Sequence, residues 1–374
     1  MKVALVYDRV NKWGGAERVL LALNKIFPKA PLFTSVYNKK TAPWAEVFDI
    51  KTSFLQKNPH AIKNHEMYPF MMPLAFERFS FDKYDLVISI TSEAAKGIVT
   101  KPGTKHISYI LTPTRYLWSG YEEYFTNRPL RMAAHPVVSY LRKWDKAAAA
   151  RPDVLVAIST EVQERIKKYY QRDSFIIYPP VSLGVRGPHF AKASRGKQSL
   201  ASSNPIKNNN YFLIVSRLSK FTQYKRVDLA IEACNRLKLP LKIVGTGSLR
   251  KELEKLAGPT VEFVGDVSDR ELVQYYTNCK ALIFPAFEDF GLVVVEAQSF
   301  GKPVIALRKG GALDTIKEGK TGIFFDEQNV ESLTEALKVF ENMQFDPKAA
   351  KKQAGLFSEM KFKEEFLRLV KKVI

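Results

Sequence analysis

Glu288 and Glu296 sit eight positions apart in a stretch that runs from an apolar strand pattern through Gly291 into a second apolar stretch. Glu288 closes the run Ala281–Phe284 plus Pro285, Ala286 and Phe287, and the second stretch can carry Glu296 into a helix. Two acids at one strand-to-helix junction share it with backbone N–H groups and the positive end of a helix. A sugar and a phosphate can both be held at such a place. The same spacing also suits one helix-terminal charge and one solvated residue. Two cations stand at a comparable junction earlier in the chain. Arg217 follows the run Phe212–Val215, and Lys225 opens the next helical pattern in Tyr224-Lys225-Arg226-Val227-Asp228. An arginine fork and a lysine point charge at a strand end suit a pyrophosphate, although loop cations also simply solvate a rim.

Glycines add to this. Gly14-Gly15-Ala16-Glu17 follows the first strand pattern and opens a helix, where paired glycines let backbone amides approach an anion or a sugar ring. Val244-Gly245-Thr246-Gly247 repeats the strand-then-glycine pattern and can pass close to a nucleobase. Phe263-Val264-Gly265-Asp266-Val267-Ser268 can lay its backbone, Val267 included, along a base edge. The dinucleotide fingerprint Gly-x-Gly-x-x-Gly is missing after the first strand, which argues against a nicotinamide enzyme. The histidines at 60, 65, 106, 135 and 189 show no metal-ligand spacing with cysteines or carboxylates, and no Asp-x-Asp pair offers a divalent site. A metal-independent reaction with no cofactor is expected.

These residues need a scaffold with many strand ends. Apolar runs at Val3–Tyr7, 86–90, 106–110 and 154–158 read as buried strands in the first half. Phe212–Val215, Leu241–Val244, 261–264, Ala281–Phe284 and 303–306 read so in the second. Helical patterns at 16–26, 137–150, 161–170, Val227–Leu237, 249–257 and 269–277 alternate with them. Continuous apolar strands alternating with helices predict parallel sheets covered on both faces. The pattern occurs twice, so two doubly wound α/β domains are expected, with ligands at the carboxyl ends of their strands and a cleft between them. The boundaries read as 1–182 for the first domain, 183–210 for a Gly-, Ser-, Lys- and Asn-rich basic linker, and 211–357 for the second. A last helix over 358–374 has an apolar face to bury and is expected to join the first domain.

The chain has 374 residues, 46% of them hydrophobic and 26% charged, as in globular proteins. No apolar run is long enough to cross a bilayer, and the start of the chain reads as a core strand rather than a leader. Cys234 and Cys279 lie in apolar contexts and are expected as buried free thiols, which fits a reducing cytoplasm. The formal net charge is +20. Residues 1–182 hold 27 basic and 16 acidic side chains, and 183–210 hold five basic and no acidic ones. This surplus suggests an anionic partner, either membrane headgroups or a pyrophosphate-bearing lipid. Nucleic acid is disfavoured, since the linker has Phe190 as its one aromatic residue and so lacks stacking platforms. Residues 51–81, with Phe54, Tyr68, Phe70, Met71, Met72, Phe76 and Phe79 among cations, are the candidate membrane-facing surface; a partly buried helix pair explains them as well.

The order of motifs resembles that of retaining glycosyltransferases of family four. It runs from Gly14-Gly15-Ala16-Glu17-Arg18-Val19 through Ser216-Arg217-Leu218 and Tyr224–Asp228. Glu288-Asp289-Phe290-Gly291 with Glu296 follows, then Gly310-Gly311-Ala312-Leu313-Asp314-Thr315-Ile316. The shorter stretches Thr52–Gln56, Met72–Glu77, Ala95-Lys96-Gly97, Thr112–Tyr116 and Ile177–Val181 bring it closest to bacterial GDP-mannose-dependent mannosyltransferases of surface-polysaccharide assembly. The resemblance implies the GT-B fold, two Rossmann-like domains facing across a cleft, with acceptor on the first and nucleotide sugar on the second. It implies that Arg217 and Lys225 hold the donor diphosphate, Glu288 the transferred sugar's hydroxyls and Glu296 the ribose. Backbone at Phe290, Gly291 and Leu292 would meet sugar and phosphate, and Gly15 would abut the phosphate, with Gly14, Leu111 and Arg115 near the sugar or acceptor. Leu111 and Ser92 stand where relatives usually carry histidines, and the longer loop from Arg217 lets Lys220 substitute for Lys225. The expected activity is transfer of a hexose, mannose from GDP-mannose, to a lipid-linked glycan by a protein peripheral at the cytoplasmic face of the plasma membrane. A UDP-sugar donor on the same fold, or a non-catalytic nucleotide-sugar-binding protein, are the alternatives.

Overall fold

Runs of apolar residues that leave no polar face become the central strands of two parallel sheets, as burial on both faces requires. The computed structural model of the protein describes residues 1–182, 210–219 and 225–374. These form two units, Met1–Pro180 with Phe362–Ile374, and Val181–Lys361. Most of the segment expected as a linker, 183–209, lies outside the described residues.

The sheet of the first unit comprises β1 (Val3–Tyr7), β2 (Leu32–Thr34), β3 (Ile50–Thr52), β4 (Leu86–Thr91), β5 (Lys105–Ile110), β6 (Val154–Ala157) and β7 (Phe175–Ile176), in the order β3-β2-β1-β4-β5-β6-β7. Every pairing is parallel. The winding reverses between β1 and β4, so the loops that leave these two strands diverge and open a crevice at their carboxyl ends. Helices cover the faces. Helix Thr160–Tyr170 starts where the Ser159 hydroxyl accepts from the Val162 N–H at 3.2 Å and buries Val162, Ile166 and Tyr170 at helical spacing. The end of helix Glu359–Val373 lays Phe362 and Phe366 against the buried ring of Tyr109, with centroids 6.0 and 6.5 Å away.

The second unit has β8 (Phe212–Val215), β9 (Leu241–Val244), β10 (Val261–Gly265), β11 (Ala281–Phe284), β12 (Val304–Leu307) and β13 (Gly322–Phe325), ordered β10-β9-β8-β11-β12-β13 and parallel throughout. Its reversal lies between β8 and β11. Cys234 and Cys279 are buried free thiols, as their contexts indicate.

Several elements depart from the sequence pattern. Four strands were not foreseen: β2, β3 and β7 span only two or three residues, too few for a period to register, and the four-residue β13 opens on Gly322, which shortens its apolar run. Helix Arg128–Ala150 begins well before residue 137 and carries Pro136 inside it, where a proline reads as a boundary. The candidate membrane surface is largely internal. Leu55, Ala61, Met72, Ala75, Phe76 and Phe81 join the core, with Phe54, Tyr68, Met71 and Phe79 packed on it; Met67, Phe70 and Leu74 remain exposed. Among the described residues no helix is long and apolar enough to cross a membrane.

Candidate active site

The reversal between β8 and β11 gathers the residues singled out in the second half of the chain. Arg217 lies exposed just past β8, and its loop is laid on the next one by backbone bonds. The Ser216 N–H donates to the Val244 carbonyl at 3.0 Å and the Leu218 N–H to that of Thr246 at 2.9 Å. The Gly245–Gly247 turn thus underlies the loop that carries Arg217.

Lys225 precedes helix Val227–Leu237, and its ammonium lies 2.6 Å from Glu288 Oε1 in the loop after β11. Their side chains are only 16% and 19% exposed. Intervening contacts explain the meeting. Arg226, in the left-handed region at φ 46°, forks onto Asp228 at 2.9 and 3.0 Å and donates to the Gln328 carbonyl at 3.3 Å. Gln328 in turn donates to the Pro285 carbonyl at 2.8 Å, which ties the β8 loop to the start of the Glu288 loop. The Lys225–Glu288 contact is an ion pair of close charges rather than an aligned hydrogen bond, since Oε1 has no partner in hydrogen-bond geometry.

The Glu288 loop is shaped by two glycine positions. Gly291 caps helix Leu292–Ser299 at φ 82°, and a Cβ there would stand 2.8 Å from the Phe284 ring. A side chain at this helix start is thus excluded twice, by conformation and by space. The pair Gly310 and Gly311, after β12, presses on the loop from the other side. The Gly311 N–H donates to the Glu288 carbonyl at 3.0 Å, and a Cβ on Gly310 would fall 2.3 Å from that same oxygen. The Gly310-Gly311 motif is therefore a backbone buttress that fixes where Glu288 sits.

Glu296 follows on the helix and is 4% exposed. Its Oε2 accepts from the buried Tyr276 hydroxyl at 2.8 Å, and the Tyr276 ring stacks on Phe300 at 5.5 Å. The carboxylate is oriented from below by a residue that sequence reading did not single out. Phe290 is buried against Phe357, centroids 5.6 Å apart, so this position offers backbone rather than ring. Val267 is half-buried just before the capping box of Ser268 and Glu271, which fixes the start of helix Asp269–Asn278. Lys220 and Tyr224 lie outside the described residues.

In the first unit Gly14 and Gly15 open helix Gly15–Ile26 in the loop after β1. Beneath them Glu17 is 2% exposed and accepts from the Tyr7 hydroxyl at 2.7 Å. Burial raises the pKa of both groups, with each partner adding to or opposing it through their shared bond. Asp8 is fully buried and takes the N–H groups of Ser92, Glu93, Ala94 and Ala95 at 2.7–3.0 Å with the Thr91 hydroxyl at 2.9 Å. It ties the loop after β4 to that after β1, and Ser92 is one of its ligands. Arg9 pairs with Glu93 at 2.5 Å across the same crevice. Leu111, half-buried at the end of β5, donates its N–H to the Thr91 carbonyl at 2.8 Å. Arg115 reaches Glu123 at 3.4 Å.

Behind this crevice lies a buried ion pair that sequence reading missed. Lys96 meets Asp145 at 2.5 Å with each side chain 1% exposed. Asp145 also accepts from Thr114 at 3.0 Å, Trp118 Nε1 at 2.7 Å and the Tyr170 hydroxyl at 2.8 Å. The Ala95-Lys96-Gly97 and Thr112–Tyr116 stretches thus meet through an acid on helix Arg128–Ala150. An isolated Asp in an alanine- and cation-rich helix gave no local signal. The structure brings Lys225 to Glu288, sets Gly291, Leu292 and Glu296 on the same helix start, and holds Gly14, Gly15, Leu111 and Arg115 within the first unit.

Residues 197–355 match a protein-family profile described as Glycosyl transferases group 1. D-inositol 3-phosphate glycosyltransferase of Nocardioides sp. is 28% identical over 239 residues, 55% of this chain and 50% of that protein. The GDP-mannose-dependent alpha-mannosyltransferase of Corynebacterium glutamicum is 30% identical over 143 residues, 38% of this chain and 34% of that protein. The chain spans about half the length of the first curated relatives it matches. The crystal structure of Anabaena HepE in complex with UDP superposes with a TM-score of 0.69 at 18% identity and 100% coverage of both chains, a likeness of GT-B fold.

Proposed function

We propose that the protein is a retaining glycosyltransferase that moves mannose from GDP-mannose to a glycan acceptor, a reading supported by the match of residues 197–355 to the profile described as Glycosyl transferases group 1. The observation that carries this reading is the Lys225–Glu288 pair at 2.6 Å, formed between the loops that leave β8 and β11 at the switch point of a doubly wound sheet, the first of which also carries Arg217. Departure of a nucleoside diphosphate leaves negative charge on its phosphates. Fixed cations aimed at that charge lower the barrier most. Arg217 and Lys225 supply them, aided by the N-terminus of helix Leu292–Ser299. The reaction then calls for no cofactor and no metal ligand set from the protein.

Glu288 accepts from hydroxyls of the transferred sugar and holds the Lys225 ammonium oriented until the diphosphate arrives. It is not required as a nucleophile, because in a retaining front-face transfer the leaving phosphate assists the acceptor's deprotonation. Glu296, braced by Tyr276, takes the ribose. The GDP-mannose dependence of the Corynebacterium relative supports the donor. The surplus of cations over residues 1–182 supports a lipid-linked acceptor met at the anionic inner face of the plasma membrane. On helix Arg128–Ala150, exposed Met132, Val137 and Tyr140 lie among five cations, a better surface for that role than residues 51–81.

Calorimetric titration with GDP, UDP and ADP, repeated on Glu296→Ala, tests the reading. GDP is expected to bind most tightly and to lose affinity in the variant. A preference for UDP would replace the donor while keeping the chemistry, and binding of no nucleotide would end the transferase reading.

A further inference from the structure

Helix Arg128–Ala150 carries five lysines and arginines and a single acid, and that acid, Asp145, turns inward to Lys96. Positions 135, 139, 142, 143 and 146 recur at three- and four-residue intervals, so their side chains share one face of the helix. With Trp118, from the loop after β5, that face lines a pocket of about 230 Å³. His135, Lys143 and Lys146 are exposed, and Ser139 and Arg142 half-buried, so the polar groups are open to a ligand. Among the described residues no aspartate or glutamate lines the pocket.

The walls of this pocket are fixed by contacts of their own. Arg142 Nε donates to the Leu117 carbonyl at 2.6 Å, and its guanidinium lies 4.7 Å from the centre of the Tyr121 ring and 5.5 Å from that of Trp118. Trp118 is held in turn, with Nε1 donating to Asp145 at 2.7 Å and the ring stacked on Tyr169 at 5.1 Å. The Lys146 ammonium lies 5.6 Å from the Trp118 ring. Aromatic faces attract a cation without cancelling its charge, so Arg142 and Lys146 stay positive beside Lys143. A neutral sugar would leave three cations uncompensated. A carboxylate or a phosphodiester brings one negative charge, whereas a pyrophosphate brings at least two and more acceptor oxygens. Apolar surface adjoins the cations: Met132 is exposed one turn before His135, and Tyr140 one turn before Lys143. A pyrophosphate that carries a hydrocarbon chain would meet charge and apolar surface together.

We propose that this pocket binds the pyrophosphate through which the acceptor glycan is joined to its lipid. It lies between the loop after β5 and the helix that leads back to β6. Arg142, Lys143 and Lys146 hold the phosphate oxygens, and the glycan extends from there toward the donor, so the pocket anchors the acceptor without touching the reacting atoms. The proposal rests on the transferase reading for the glycan, but binding of a lipid diphosphate is measured without any transfer.

The test follows the imidazole 15N and 1H signals of histidine-labelled full-length protein during titration with farnesyl diphosphate, with GDP present to fill the donor site. His135 reports on the pocket, and the other four histidines serve as internal references. Saturable shifts of the His135 ring are expected. Replacing both exposed lysines, Lys143→Ala with Lys146→Ala, should weaken binding about 25-fold, fivefold for each ammonium. Lys251→Ala with Lys255→Ala removes the same charge from the exposed surface of the second unit and should change nothing. Ser139→Glu sets a carboxylate in the pocket with every lysine kept, and should abolish the response should the double variant fold poorly. A silent His135 ring would overturn the proposal, as would equal losses in the two lysine pairs. Vesicles of phosphatidylglycerol that displace farnesyl diphosphate at matched phosphate concentration would also overturn it, by making the pocket a general headgroup site. Failure of GDP to bind, read by calorimetry, would count against the transferase reading and leave the pocket standing on the His135 response.

Discussion

Lys225 and Glu288 form an ion pair at 2.6 Å although they lie in different loops, one after β8 and one after β11. Both are more than four-fifths buried, so bulk screening is weakened and each holds the other in place. Such a pair behaves as a preset clamp. An incoming diphosphate competes with Glu288 for the ammonium, and the carboxylate is freed toward sugar hydroxyls.

Lys225→Ala should therefore lower kcat with GDP-mannose by about two to three orders of magnitude, the range for loss of one donor to developing charge. Lys225→Arg should fall between, because it keeps the charge but not the compact fit. Steady-state kcat and KM decide it. A loss below about tenfold for the alanine variant would remove Lys225 from the catalytic group.

Gly310→Ala should displace the Glu288 loop. The position has φ 66°, and a Cβ would lie 2.3 Å from the Glu288 carbonyl oxygen, a backbone atom that cannot swing aside. Gly319, at φ 71° with nothing within 4 Å of its Cβ, supplies the comparison. Gly319→Ala should cost about 1 kcal/mol from the left-handed conformation alone. Gly310→Ala should cost more and also lower kcat. Urea unfolding with parallel rate measurements separates strain from displacement; equal losses in the two variants would contradict the buttress.

The central buried strands were legible because a parallel sheet demands unbroken apolar runs, and Val3–Tyr7, Phe212–Val215, Leu241–Val244 and Ala281–Phe284 have them. β2 and β3 were not, being three residues each at one side of the sheet. Position relative to strand ends flagged Lys225 and Glu288 separately. Their contact depends on Arg226, Gln328 and Pro285, three groups that no local pattern joins. Tyr276 and Asp145 escaped for the same reason, since each earns its place through partners distant in sequence.

Asp145 is the acid on which the first unit should depend most. Asp145→Ala would take the carboxylate from the Lys96 ammonium at 1% exposure, leaving it the neutral Glu93 carbonyl and Thr114 hydroxyl, and would also remove the acceptor of Trp118 Nε1 and the Tyr170 hydroxyl. Removing one partner of a buried pair costs about 3–5 kcal/mol, whereas replacing both with apolar groups costs far less. The double variant Lys96→Met with Asp145→Leu should thus be more stable than Asp145→Ala. Urea unfolding of the three proteins checks the order, and a double variant weaker than the single one would refute it.

His106 gives the fold a specific pH dependence. It is fully buried in β5, and its Nε2 lies 2.9 Å from the Ser89 hydroxyl, which donates onward to Ser108 at 2.9 Å. Nε2 therefore carries the proton in the bond to Ser89. Burial above all lowers its pKa from 6.5 to about 3, against the opposing pull of Asp153 and with smaller contributions from Arg172 and Arg151. Between those values the unfolded chain binds a proton that the folded one refuses. Unfolding then takes up protons, so stability rises with pH across this window and falls on acidification below pH 6.5. The contribution is about 1.4 kcal/mol per pH unit. His106→Gln retains an amide donor for Ser89 and lacks the titration. Wild type should be the more stable at pH 7.5, and its advantage should shrink by about 2 kcal/mol at pH 5.0. His65, shifted the same way, and Asp8 and Glu17, raised by burial and so opposite in sign, act in both proteins and cancel from the difference. Urea unfolding at the two pH values measures it, and an advantage that stays constant would mean His106 is not kept neutral by the fold.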